Sequence, residues 1–285
     1  MKPAPFAYAR PGHLDEALAT LAENAEDGKV LAGGQSLVPA MNFRLARPSV
    51  LIDLSQVGGL DEITDEGEYL RIGAMARQRT VEISPVARRC CGLITEALPF
   101  IGHLQNRNRG TIGGSVAHAD PASELPAVCL ALDAEITAQS VRGARIIDAT
   151  HFFQGPFMTA LEPDEILTSI RFPHVSVNRG AVAEVARRHG DFAIAGVVAA
   201  SRNPSGGGFA IAAFGVAGAP VRLRTAEESL DALEQITQAG IREAGELAAL
   251  EVDPASDIHA DADSRRQIVS VLLQRTLYAI RQATP

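Results

Sequence analysis

The chain lacks a basic surplus. Its 26 Lys and Arg stand against 34 Asp and Glu, for a formal net charge of -8. An acidic chain with no basic stripe argues against a nucleic-acid partner. Tryptophan is absent, and aromatic residues reach only 5%. No apolar run approaches the roughly 18 residues a membrane span needs, so no transmembrane segment is expected. The start, Met1-Lys2-Pro3-Ala4-Pro5, has no apolar core of the signal-peptide kind. Cysteine is scarce: Cys90, Cys91 and Cys129. An odd count without framework spacing points to a reducing compartment, hence the cytoplasm. Three thiols also fall short of the four that usually hold an iron–sulfur cluster. Cys90 and Cys91 read as core or helix-face residues. The seven histidines show neither H-x-x-x-H nor H-x-x-E-H spacing, so no metal site is expected. Neither G-x-G-x-x-G nor G-x-x-x-x-G-K-[ST] occurs, which removes the usual dinucleotide and P-loop fingerprints.

What is present is an ordinary globular composition. Hydrophobic residues make up 46% of 285 positions, and mean hydropathy is near zero. That is enough for two or three cores. Two glycine-rich stretches stand out. The longer one, Arg109 to Pro126, reads R-G-T-I-G-G-S-V-A-H-A-D-P-A-S-E-L-P. It places Gly110, Gly113 and Gly114 within five residues, with Thr111 and Ser115 supplying hydroxyls around the glycine pair. Glycine lets backbone approach a ligand closely. The other stretch, Leu31-Ala32-Gly33-Gly34-Gln35-Ser36-Leu37, reads as a strand-to-helix turn before the amphipathic segment Val38 to Leu45. Each loop is open to two readings, a tight turn or a nest of N–H donors for an anion. Both in one chain favour a phosphate-bearing ligand gripped from two sides.

Taken in order, Phe6 to Arg10 reads as a strand, Leu14 to Ala22 as a helix, Lys29 to Ala32 and Val50 to Leu54 as strands. That is a small α/β subdomain. Leu60 to Thr64 and Tyr69 to Gly73 flank Asp65-Glu66-Gly67-Glu68 as a hairpin. Thr80 to Ser84, Pro85 to Cys91 and Leu93 to Leu98 follow as helical pieces. Glu124 to Leu132 reads as a helix; Ala134 to Ala138, Arg142 to Asp148 and Glu165 to Phe172 read as strands. This second lobe is α+β. After a link at Pro173 to Asn178, strands at Arg179 to Ala186, Ile194 to Ser201 and Phe209 to Val216 precede three helical patterns, with a turn at Gly206-Gly207-Gly208. That last region is large enough to be an autonomous unit.

No nucleophile–base constellation emerges, and no catalytic residue is assigned. Ser36 lies outside any G-x-S-x-G. His118 reads as a structural hydrogen bond within its loop, with a polar contact to a ligand ring as the alternative. Asp120 and Glu124 read either as acceptors for ribose hydroxyls or as helix N-terminal charges. Arg107 and Arg109 read as pyrophosphate partners or as solvated charges. Arg187, Arg188 and Asp191 read as ligand contacts or a local ion pair. The missing acid–base machinery suits a flavin, which carries its own redox chemistry. A non-redox nucleotide-binding module would use the same loops.

The stretches A-G-G-Q-S-L at 32–37, R-N-R-G-T-I-G-G-S-V-A-H-A-D-P-A-S-E-L-P at 107–126 and R-R-H-G-D-F-A at 187–193 occur in one chain in this order. With them the sequence resembles the FAD-binding medium subunit of molybdenum hydroxylases, the flavoprotein of the carbon monoxide dehydrogenase and xanthine dehydrogenase group. The resemblance covers the chain nearly end to end. It implies an α+β fold: a two-lobed FAD-binding domain of the vanillyl-alcohol-oxidase-like (PCMH) type over 1–176, with lobes about 1–55 and 56–176. A C-terminal α+β domain would span 177–285. It implies noncovalent FAD held by Ala32, Gly33, Gly34, Gln35, Ser36 and Leu37 and by Thr111, Ile112, Gly113, Gly114 and Ser115. His118, Asp120 and Glu124 complete the motif, Glu124 standing where relatives have Asp. Leu167 matches an apolar backbone contact, and Phe192 matches an aromatic site beside the flavin ring. A lysine that some relatives place before the Arg-Arg pair is missing: the region reads Ala183-Glu184-Val185-Ala186. The implied function is electron transfer from a [2Fe–2S] small subunit to an external acceptor, with substrate hydroxylated on a molybdopterin large subunit. The implied assembly is a dimer of heterotrimers. A free-standing flavin oxidase with its own substrate site is the alternative.

Overall fold

A computed structural model describes residues 2–175, 179–202 and 208–283. The N-terminal lobe is a three-stranded parallel sheet in the order β1-β3-β2, with β1 at Ala7–Ala9, β2 at Gly28–Leu31 and β3 at Val50–Asp53. Helix α1, Leu14–Glu23, buries Ala17, Leu18 and Leu21 along one face, the 3.6-residue pattern of its sequence. Helix α2, Leu37–Asn42, follows the first glycine loop at once. The expected α/β subdomain is therefore observed.

The second lobe carries a five-stranded antiparallel sheet in the order β4-β5-β10-β6-β7. The strands are β4 at Ile63–Asp65, β5 at Tyr69–Gly73, β6 at Glu135–Ser140, β7 at Gly143–Asp148 and β10 at Ile166–Pro173. A small hairpin, β8 at Phe153–Gly155 and β9 at Met158–Thr159, escaped the sequence reading. Short helices cover the sheet: α3 at Gln78–Glu82, α4 at Pro85–Cys90, α5 at Gly92–Ala97, α6 at Leu104–Arg107, α7 at Ile112–His118, α8 at Glu124–Ala131 and α9 at Ala149–Phe152. Helix α3 lies two residues earlier than Thr80 to Ser84 because its chain turns inward at Gln78, which is buried. Every residue of α8 is buried, so it shows no amphipathic stripe and acts as the central strut of this core.

The third unit is a four-stranded antiparallel sheet, β11 at Gly180–Ala186, β12 at Ala193–Ser201, β13 at Phe209–Phe214 and β14 at Val221–Arg222. Three helices, α10 at Arg224–Asp231, α11 at Gln238–Glu251 and α12 at Ala262–Ala283, cover one face. The other face packs on the second lobe: Val198, Ala200, Ala210, Ala212 and Phe214 share one core with α5 and α8. β12 and β13 are near-continuous apolar runs because both faces are covered. The expected boundary at 176/177 and the turn residues Gly206 and Gly207 lie outside the described residues.

The face of β12 and β13 that meets the other core is tight at one point, within the sheet itself. A Cβ built on Gly196 would lie 2.1 Å from Cζ of Phe214. Gly196→Ala should therefore overpack this face and cost about 1–3 kcal/mol. Thermal unfolding should show a melting point lower by about 2–4 °C per kcal/mol. An unchanged melting point would mean that the Phe214 ring is free to move aside.

Candidate functional site

The two glycine motifs meet. A Cβ on Gly33 would lie 2.4 Å from the Arg109 carbonyl oxygen and 2.8 Å from Gly110 Cα. Backbone thus packs on backbone, and only glycine fits. Gly34 is glycine for a different reason, its φ of 72°. A further link crosses from Asn106 Nδ2 to Gln35 Oε1 at 3.2 Å, while Gln35 Nε2 donates to the Gly33 carbonyl at 3.2 Å. The carbonyls of Gly34 and Ser36 accept from Val38 and Ala40. That leaves the opening N–H groups of α2 without intrahelical partners, as at any helix start. Leu37 begins that helix, and Ser36 caps its start without a side-chain hydrogen bond.

The second motif differs from its sequence reading. Thr111 to Ser115 is not an open loop: Thr111 is the N-cap of α7, and Ile112, Gly113, Gly114 and Ser115 form its first turn. Their N–H groups are already spent. Ile112 donates to the Ala76 carbonyl, Gly113 to that of Ala74, Gly114 to Thr111 Oγ1 and Ser115 to the Thr111 carbonyl. Gly113 is glycine because a Cβ would strike Ala74 at 2.4 Å. What this motif offers a ligand is therefore the half-buried Ser115 hydroxyl, not a nest of free amides, since Thr111 is 2% exposed and its Oγ1 accepts from Gly114. Ser115 Oγ lies 3.2 Å from Ser123 Oγ, so the hydroxyl wall runs on to the residue preceding Glu124.

The arginines separate as well. Arg107 is 8% exposed, pairs with Glu82 at 2.8 Å and donates to the carbonyls of Ile101 and Gly102 at 3.0 Å each. It is a structural clamp on the 99–103 turn, which removes it as a pyrophosphate partner. Arg109 lines a cleft of about 590 Å³ together with Arg10, Arg77 and residues 31–35. Burial and the neighbouring Arg109 lower the pKa of Arg77. Arg77, Arg10 and the Tyr8–Asp53 hydrogen bond were missed in the sequence. The fold brings Tyr8, Arg10 and Asp53 together where β1 and β3 end side by side at the carboxyl edge of a parallel sheet, a place where such folds bind ligands.

Further along, His118 packs against Phe157 with ring centroids 5.1 Å apart. Burial lowers its pKa, opposed by Asp120. Asp120 Oδ1 accepts the Ala122 N–H at 2.9 Å. Glu124 is 5% exposed. Burial pushes its carboxyl up to about 8, and the charges of Glu184 and Asp120 push the same way. Glu184, on β11, is pushed up to about 7 by burial, and its Oε2 has no hydrogen-bond partner. Leu167 is buried on β10, next to a bulge between Leu167 and Ser169. Phe192 is 70% exposed, in the turn that precedes β12. A Cβ on Gly190 of that turn would lie 2.8 Å from the Gly102 carbonyl oxygen, which sets the 187–193 segment against α6. Arg187, Arg188 and Asp191 are exposed; the contact among them is the Asp191 N–H to the Arg188 carbonyl.

All three cysteines are free and buried. Asp65, Cys90 and His174 do come together, with ligand atoms within 4.8 Å of one another. No sequence spacing announced this, because the three lie on separate elements. Their needs are met internally: Arg89 at 3.0 Å and the Gly67 N–H hold the Asp65 carboxyl at about 2. Among the described residues no helix is long and apolar enough to cross a membrane.

Comparison with known proteins follows this geometry. Residues 4–175 match the FAD binding domain in molybdopterin dehydrogenase, and residues 180–280 match the CO dehydrogenase flavoprotein C-terminal domain. The chain is 40% identical to the nicotine 6-hydroxylase medium subunit of Paenarthrobacter nicotinovorans, over 97% of this chain and 98% of the relative. It is 34% identical to the carbon monoxide dehydrogenase medium chain of Hydrogenophaga pseudoflava, over 98% of each. Among solved structures, carbon monoxide dehydrogenase from Hydrogenophaga pseudoflava aligns over 100% of both chains with a TM-score of 0.95 at 34% identity. Quinoline 2-oxidoreductase from Pseudomonas putida 86 aligns with a TM-score of 0.93 at 34% identity, again over 100% of both chains.

The buried acids make a pH prediction. Burial holds the folded pKa of Glu184 above the ordinary glutamate value of 4.5. Its contribution to stability is therefore full below about pH 4.5 and lost as pH rises through about 7. Discounted for partial exposure, the swing is about 1–2 kcal/mol. Glu184→Gln should gain stability relative to wild type as pH rises from 5 to 8. Parallel melting curves of the two proteins across that range would show that Glu184 ionises at no cost.

Proposed function

The chain belongs to the family of FAD-binding medium subunits of molybdenum hydroxylases, and from that premise we propose that it is the electron-transfer subunit of such an enzyme. In this reading it takes electrons from a [2Fe–2S] small subunit and passes them to an external acceptor. Substrate is hydroxylated on a molybdopterin large subunit, and the assembly is a dimer of heterotrimers. Flavin supplies the two-electron and one-electron redox chemistry when bound.

The observation that carries this reading is the contact of the two glycine motifs beside an arginine-lined cleft. The chain's own residues bind and orient. The N–H groups of Gly33 to Leu37 donate to the diphosphate, and Arg109 and Arg77 add positive charge, Arg77 held by its hydrogen bond to the Arg109 carbonyl and partly offset by Asp53 of the same cleft. The Ser115 hydroxyl continues the polar wall, with Thr111 buried behind it as the cap of α7. Ile112 and Gly113 act from behind, fixing α7 against Ala74 and Ala76. Glu124 accepts from the nucleotide's hydroxyls, and Leu167 presents backbone from the β10 bulge. His118 and Asp120 border the same wall. Phe192 offers an exposed ring for the flavin face. None of these is assigned as an acid or base toward a substrate. Three unpaired cysteines favour a cytoplasmic setting.

Two measurements test the reading. The chain purified alone should be yellow and release about one FAD on acid precipitation, with no iron or molybdenum. Isolated through a tag from its native host, it should bring about four iron and one molybdenum per FAD. A colourless chain, or a native isolate free of both metals, would sink the subunit reading. For loop 1, Gly34→Asn and Gly34→Asp tolerate the left-handed backbone alike. They differ in charge, so Asp should weaken FAD binding at least about tenfold more than Asn if phosphate sits there. Equal losses would move the diphosphate elsewhere.

A further inference from the structure

FAD binding gives no task to the cluster of Asp65, Cys90 and His174. Asp65 ends β4, Cys90 ends α4, and His174 follows β10. A carboxylate oxygen, Cys90 Sγ and a ring nitrogen of His174 all lie within 4.8 Å of one another. None of the three lines the arginine cleft. Backbone hydrogen bonds hold the segments that carry them. The His174 N–H donates to the carbonyl of Glu68, between β4 and β5, at 3.0 Å. The Val175 N–H donates to the Cys90 carbonyl at 2.8 Å, and the Gly92 N–H returns to the Val175 carbonyl at 3.1 Å.

The donor set is selective. Thiolate, imidazole and carboxylate together suit zinc, whereas calcium and magnesium take oxygen ligands. The spacing fits as well. His174 Nε2 stands 3.3 Å from Asp65 Oδ1. Two ligand atoms each about 2.0–2.1 Å from a tetrahedral zinc stand about 3.3–3.4 Å apart. A sulfur with its longer bond of about 2.3 Å stands about 3.6 Å from either, so Cys90 needs a side-chain adjustment of roughly 1 Å at most. A His–Asp hydrogen bond would account for two members of the cluster. It gives no reason for a thiol to converge on the same point.

Exposure sets the direction of entry. Cys90 is 2% exposed, while the Asp65 and His174 side chains are each about one-third exposed. An ion arrives from solvent onto the sulfur, and its remaining position faces water. Asp65 is prepared for it. Arg89, at 3.0 Å from Oδ2, and the Gly67 N–H, at 3.0 Å from Oδ1, hold the carboxyl ionised down to about 2. Such contacts are the outer shell that orients a ligating carboxylate. Arg89 keeps to the other oxygen and is itself 61% exposed, so its charge is screened by solvent. The other arginines nearby are occupied: Arg171 pairs with Glu66 and Glu135, Arg71 with Glu62 and Glu66, and Arg88 acts on Glu96.

We propose that Asp65, Cys90 and His174 form a zinc site with three protein ligands and a water, which pins the β4–β5 hairpin, the end of α4 and the segment after β10 to one another. The Cys90 thiol gives its proton to solvent on binding. His174 binds as neutral imidazole through Nε2, with its proton on Nδ1. Nothing is oxidised or reduced, and the site does not depend on FAD.

The test strips the full chain with a chelator, dialyses it against buffered zinc and measures bound metal by mass spectrometry. Cobalt replaces zinc for spectroscopy, read as a difference against the metal-free chain. Wild type should retain about one zinc per chain, melt at a higher temperature with zinc than without, and show a cobalt–thiolate charge-transfer band. His174→Gln can still donate to Asp65, so it should melt like wild type without zinc, yet bind zinc at least about tenfold more weakly. Cys90→Ala should lose both the zinc and the cobalt–thiolate band. His151→Gln, at an exposed histidine outside the cluster, should change neither. If Cys90→Ala does not fold, His174→Gln at its partly exposed position decides the matter. No retained zinc in wild type, a cobalt spectrum without the thiolate band, or wild-type affinity in His174→Gln would overturn the site. Zinc held equally by every variant would mean adventitious surface binding and would overturn it too.

Discussion

One backbone contact governs the site. Where Gly33 touches Arg109 and Gly110, no side chain fits, and the N-terminal lobe is docked on the second lobe at that spot. The same economy fixes the other side. Gly113 sits against Ala74, and the N–H groups of Ile112 and Gly113 are spent on the carbonyls of Ala76 and Ala74. Helix α7 is thereby pinned to the chain that leaves β5. The glycines are glycines first because the two motifs must touch one another and the segment leaving β5. Any ligand they hold benefits from a wall whose position is set by packing rather than by loop entropy.

That pinning divides the polar resources. Once α7's opening amides are used internally, donors for an anion come from the first loop and from Arg109 and Arg77. Arg107, two residues from Arg109, is consumed by Glu82 and by carbonyls of the 99–103 turn. Adjacent arginines thus serve opposite purposes. Burial separates them: Arg107 is 8% exposed and needs every donor satisfied inside the protein, whereas Arg109 faces a cleft.

Much of this was legible in the sequence, and the rest fails for physical reasons. The strand–turn–helix at 28–42, the 60–73 hairpin and the closing helices follow from periodicity and turn residues, which are local properties. Which amides of Thr111 to Ser115 are free depends on carbonyls of residues 74 and 76, about forty positions earlier, and no local pattern carries that. Arg77, Arg10 and Glu184 were missed alike, because each is a lone polar residue in an unremarkable stretch until the fold gives it neighbours. The family motif at 187–193 contains Phe192, while Glu184 lies just upstream of it.

Glu184 is the point where stability and site pull apart. An apolar side chain of like size would suit a seam made of Val182, Phe214 and Gly196 better than a carboxyl with an unbonded oxygen. Arg265, Arg222 and Arg202 on the neighbouring elements are each bound to other acids. The charge of Glu124 makes the electrostatics worse rather than better. A half-buried carboxyl with an unbonded oxygen at the junction of two units is a feature that packing alone does not account for.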